Sequence, residues 1–154
     1  MNRIIEFFVS LLTQHGFNAF WAALVSQVLL VIVLLVLSGL IYWISKNIII
    51  SLFNKISRNT KTHFDDILIK NKAATRLSYL FPNLFLYQFL PEIFSEYETI
   101  AALLKNILEA FTIIIVINLV RALLKTIRDY SKTFPSFKDK PIDSYIQVVM
   151  IFLW

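Results

Sequence analysis

The chain has 154 residues, 58% of them hydrophobic, 16% charged and 15% aromatic, with a formal net charge of +5. A soluble domain carries about a quarter charged residues and has no core large enough for this apolar surplus, so the composition places the chain in a membrane. With no cysteine and only two glycines, Gly16 and Gly39, it excludes disulfide frameworks, thiolate metal sites, cysteine nucleophiles, glycine-rich phosphate loops and dinucleotide fingerprints.

Residues 1–15 place Ile4, Ile5, Phe7, Phe8, Leu11 and Leu12 at helical spacing opposite Asn2, Arg3, Glu6 and Gln14. Two arrangements meet that pattern, an amphipathic helix lying in the outer interface or an N-terminal extension of the first span; the interfacial helix is the reading adopted here. From Gly16 to Ser45 no charge occurs, a run of about 45 Å as a helix against a hydrocarbon core of about 30 Å. Phe17, Phe20 and Trp21 at one end, with Tyr42 and Trp43 at the other, fit interfacial belts, so a first span is expected over about 17–44. Ser26 and Gln27 at its centre are expected to face other helices.

A second span is expected over about 77–94, uncharged between Arg76 and Glu92 but holding Pro82 and Pro91, which bend or end helices. A third is expected over about 100–121, with Lys105 and Glu109 one turn apart near its start as a snorkelling pair. The residues from 16 to 129 thus read as a helix bundle and 130–141 as a cytoplasmic connection. A fourth run over 142–154 is too short to cross and reads as the beginning of a span. The fold expected is all-α and polytopic, with three full crossings and the start of a fourth.

Charge sets the orientation. Lys46, Lys55, Arg58, Lys61, Lys70, Lys72 and Arg76 lie between the first two spans, and Arg121, Lys125, Arg128, Lys132, Lys138 and Lys140 follow the third. The link between the second and third carries Glu92, Glu96 and Glu98 and no basic residue before Lys105. Basic connections face the cytoplasm, which puts the N-terminus outside. The same distribution accounts for the positive charge without nucleic acid, and assigns Arg121, Lys125 and Arg128 as candidate contacts to lipid headgroups.

The stretch from Lys61 to Arg76 reads KTHFDDILIKNKAATR. Thr62 and Asp65 resemble a capping box, and Asp66 and Lys70 are spaced for an intrahelical pair. Adjacent carboxylates at Asp65 and Asp66 suggest a metal only with a second cluster; caps and salt bridges are the favoured reading, with no metal or cofactor expected. His15 and His63 lie far apart with no serine or carboxylate in a catalytic pattern, so no enzyme is expected.

Phe64-Asp65-Asp66-Ile67-Leu68, then Arg76-Leu77 with Phe81-Pro82, and above all Lys140-Pro141-Ile142-Asp143-Ser144-Tyr145-Ile146-Gln147-Val148-Val149 resemble the small-conductance mechanosensitive channel (MscS) family, in its miniconductance or YbdG-like branch with five membrane helices per subunit. The resemblance covers roughly Lys61 to the C-terminus, and the Pro-Ile-x-Ser-Tyr-x-Gln-Val-Val stretch is its most specific part. It implies a bacterial inner-membrane subunit of a homoheptamer that opens under bilayer tension during osmotic downshock to release ions and small solutes. In that family a pore helix rich in small residues and a cytoplasmic vestibule follow the fourth span, so these residues are expected to be the lipid-facing sensor portion. The rival expectation is a stand-alone membrane accessory or assembly subunit without channel activity. A transporter or membrane enzyme is disfavoured, because ionisable residues near the midplane are missing apart from Lys105 and Glu109.

Overall fold

A computed structural model describes residues 2–59, 64–132 and 142–152, with side chains described there except at 2, 56–59, 65, 142 and 143. Among the described residues every regular element is a helix: α1 (Asn2–Gln14), α2 (Ala19–Asn59), α3 (Phe64–Lys70), α4 (Ala73–Ser78), α5 (Leu80–Ile93), α6 (Glu98–Ser131) and α7 (Ile142–Phe152). Residues 1–15 do not extend the first long helix. Gly16, at φ 89°, stops α1: its N–H donates to the Thr13 carbonyl at 3.1 Å and the Phe17 N–H to the Leu12 carbonyl at 3.3 Å. These two bonds form a Schellman motif, which needs a residue in the left-handed region where a Cβ is costly. Asn18 then caps α2 through its Oδ1, which accepts the Phe20 N–H at 3.4 Å.

Two helices, α2 and α6, are long and apolar enough to cross a membrane. With 41 and 34 residues, they extend about 60 and 50 Å. Only 17% of the most apolar stretch in α2 and 11% of that in α6 is buried within the chain, where a core helix of a soluble protein is mostly buried. On α2 the buried positions recur every fourth residue, Ala22, Ser26, Leu30, Leu34 and Ser38, while Val28, Leu29, Ile32, Val33, Leu35 and Val36 are exposed. The packed face is one narrow ridge, and most of the helix perimeter is bare aliphatic surface.

The second expected span takes a different form. Helix α5 has 14 residues, about 21 Å and so short of the hydrocarbon thickness. Its two prolines lie in its terminal turns. Pro82 falls in the first turn, where a missing N–H costs no helical bond, and Pro91 falls in the last. The chain then turns through Phe94 N–H to Pro91 carbonyl at 3.1 Å and Tyr97 N–H to Phe94 carbonyl at 2.8 Å before α6 begins.

The chain divides into two compact units, residues 1–41 with 82–111 and residues 42–81 with 112–154, so that it passes from one unit to the other three times. In the first unit, Leu30, Leu34 and Ile93 form the core, with Ile5 and Phe8 of α1 and Phe85, Leu86 and Leu90 of α5 against it. The Asn83 amide donates to the Leu108 carbonyl at 3.4 Å and joins α5 to α6. In the second, Ile49, Leu68, Ala73, Ala74 and Ala122 form the core, flanked by Ile50, Phe53, Phe64 and Leu77.

One local pattern recurs in three helices. Ala22 and Ser26, Ala74 and Ser78, and Ala122 and Thr126 are small pairs four residues apart, each residue at most 2% exposed. In each pair the hydroxyl donates to the alanine carbonyl, at 2.7, 2.8 and 2.8 Å. The small side chains permit close helix approach, and the internal bond removes the cost of burying a hydroxyl. Ala74→Leu is expected to destabilise the protein by about 1–3 kcal/mol through overpacking. Gly39→Ala, on an exposed face with open space around its Cβ position, is expected to stabilise by about 0.5–1 kcal/mol. Unfolding titrations in detergent check both signs.

Candidate functional site

The polar concentration of the second unit lies where the α3–α4 turn meets the C-terminal half of α6. Helix α3 ends through Asn71 N–H to Ile67 carbonyl and Lys72 N–H to Ile69 carbonyl, both 2.9 Å. Lys72 itself adopts φ 60°, ψ 21°, the left-handed region. That conformation turns the chain sharply, so Lys70, Lys72 and Arg76 are brought to one place from a short stretch of sequence. Two bonds tie the turn to α6. The buried Asn71 amide donates to Asp129 Oδ2 at 3.0 Å, and Arg76 Nη1 donates to the backbone carbonyl of Asn118. Asn118 in turn donates its own amide to the Ile114 carbonyl at 3.0 Å.

Between these elements lies a half-open cleft of about 410 Å³, lined by Lys70, Asn71, Lys72, Arg76, Asn118, Arg121, Ala122, Lys125 and Met150. None of the described residues lining it is acidic, and five are cationic. Arg76 is half-buried and Lys70, Lys72 and Lys125 are exposed, so the cleft presents mobile ammonium groups around a guanidinium fixed by its bond to Asn118. Such an arrangement suits anion recognition by charge and by directed N–H donors.

The candidate headgroup contacts are divided by this geometry. Arg121 and Lys125, one turn apart on α6, both line the cleft, whereas Arg128 does not. Lys70, the basic member of the expected intrahelical pair with Asp66, also lines it. Thr62 and the side chain of Asp65 lie outside the described residues. Lys105 and Glu109, in the first unit, are organised around an aromatic ring. The Lys105 Nζ sits 5.7 Å from the Tyr87 ring centroid, and the Tyr87 hydroxyl donates to Glu109 Oε1 at 2.8 Å. Tyr87 therefore supplies both charges with a partner across helices, which spacing along α6 alone does not reveal.

Lys72, Arg76, Asn71 and Asn118 are the site residues that the sequence reading did not assign. Their signal was present as basic residues at 70, 72 and 76 and again at 121 and 125, but topology alone explained both groups. Among the described residues no group of three or more His, Cys, Asp or Glu is placed to hold a metal. No protein-family profile, curated protein or solved structure matches the chain. Asn71→Ala is expected to lower stability by about 1–3 kcal/mol, because it removes a buried bond to a carboxylate. Asp129→Asn, which retains an acceptor oxygen, is expected to cost less; comparison of the two unfolding midpoints checks the ordering.

Proposed function

We propose that this chain is the membrane-embedded, tension-sensing portion of a mechanosensitive channel of the MscS type, carried in a bacterial inner membrane as part of a homoheptamer. The observation that carries this reading is the bare aliphatic perimeter of the two long helices. A bundle held by narrow ridges and open to lipid elsewhere changes tilt and in-plane area while giving up little buried contact. Tension then favours the state of larger area, in the way a ligand favours the state it binds better. The extent of opening is limited by the area difference between the states. Ion conduction is assigned to parts of the channel other than these residues.

Charge supports three crossings with the N-terminus outside. The first unit contains two basic residues, Arg3 and Lys105, against all five glutamates, Glu6, Glu92, Glu96, Glu98 and Glu109, a net −3. The second contains the other 13 basic residues against the five aspartates, a net +8. By the positive-inside rule the basic connections around 46–76 and after 121 are read as cytoplasmic. In this reading α2 and α6 both run inward, so a return passage lies between them, and residues 73–97 are the part of the chain available for it. A short helix such as α5 completes that passage where neighbouring helices shield its ends. Helix α1, with Ile5 and Phe8 against the core and Ile4, Phe7 and Leu11 exposed, lies in the outer interface.

Membrane patches from cells that produce the protein from its native reading frame, stretched by suction, are expected to pass a tension-gated current absent from a deletion strain. No current under tension overturns the channel reading in favour of the accessory subunit. Reporter fusions after Tyr97 and after Lys132 are expected to lie outside and inside respectively. Both on one side removes the three-crossing topology.

A further inference from the structure

We propose that the cleft formed by the α3–α4 turn and α6 binds a phosphate-bearing ligand with at least two negative charges. Five cationic side chains, Lys70, Lys72, Arg76, Arg121 and Lys125, line one cavity with no acid among its described lining residues. An anion that enters is attracted by several cations at once. A ligand with two phosphate groups meets more of them than a single carboxylate does. The donor set also suits phosphate. Arg76 is held in place by its bond to the Asn118 carbonyl, which uses one of its five N–H donors and orients the guanidinium plane. The exposed lysines supply point charges that adapt to the position of the anion.

The size and the remaining lining narrow the choice. About 410 Å³ accommodates a headgroup-sized ligand and is too small for a nucleic-acid strand. Ala122 and Met150 give the cleft an apolar side, which suits a phosphate attached to an apolar body. The shared chemistry is therefore a paired phosphate, from a phospholipid with two phosphodiesters or from a soluble diphosphate. This inference stands apart from tension sensing, because binding is read without any current, so failure of either leaves the other intact.

The test uses the full chain in detergent, titrated separately with a phospholipid carrying two phosphodiesters, a zwitterionic phosphocholine lipid, inorganic pyrophosphate and a short single-stranded oligonucleotide, with native mass spectrometry as readout. The diphosphate lipid or pyrophosphate is expected to bind roughly tenfold or more tightly than the phosphocholine lipid. Preference for the lipid over pyrophosphate assigns the source to the membrane, and equal binding assigns it to a soluble diphosphate. The triple variant Lys70→Gln, Lys72→Gln, Lys125→Gln, all at exposed positions, is expected to lose that preference. The corresponding Lys→Arg triple is expected to retain it. Removal of three charges elsewhere, Lys46→Gln, Lys55→Gln and Lys132→Gln, is expected to leave it in place. Equal affinity for the phosphocholine lipid, tightest binding of the oligonucleotide, or equal loss in both glutamine triples overturns the proposal.

Discussion

A packed interior offers a peptide group or a hydroxyl no water, so each polar group placed there has to be satisfied by the chain itself. The architecture follows from that demand at two scales. Its described regular elements are helices, which close their hydrogen bonds locally, and the buried hydroxyls of Ser26, Ser78 and Thr126 close theirs within one turn onto Ala22, Ala74 and Ala122. Polarity is thereby hidden at fully buried positions. The helices can use small residues for close approach without introducing an exposed dipole, and the large aliphatic side chains are left to face outward.

The outward-facing surplus shapes everything else. Because Val28, Ile32, Leu35 and Val36 are exposed, the packing that holds α2 between Ala22 and Ser38 is a narrow ridge in which Leu30 and Leu34 are flanked by the small residues Ala22, Ser26 and Ser38. Charge is then concentrated where the apolar surface ends. Arg121 and Lys125 stand beyond the most apolar part of α6 and meet the basic turn at Lys70 and Lys72, while Lys105 and Glu109 at the other end are held through Tyr87. Each end of α6 has its charges organised by a side chain or turn from another helix.

The sequence made the long helices legible because their signal is additive: an uncharged run with aromatic ends needs no knowledge of neighbours. It also supplied both basic segments of the cleft. Their convergence was not legible, because it depends on Lys72 adopting a left-handed conformation that nothing in Asn71-Lys72-Ala73 announces, and on Asn71 finding Asp129 far along the chain. The prolines announced a short or bent helix, and α5 is short. Each stands in a terminal turn of α5, Pro82 in the first and Pro91 in the last. Gly16 separated α1 from α2 through a capping motif whose signature is one glycine and two backbone bonds.

Lys72 joins two roles that are usually kept apart. Most cations sit on a helix, where their direction follows the helix phase, but this ammonium is carried on the bend between α3 and α4. A left-handed backbone costs a residue with a Cβ about 1–2 kcal/mol, so the turn is held in place by the packing of Leu68, Ala73 and Ala74 around it and not by local preference. A change in the angle between α3 and α4 therefore swings the Lys72 charge across the cleft. The place of one charge at the cleft is in this way a property of helix packing.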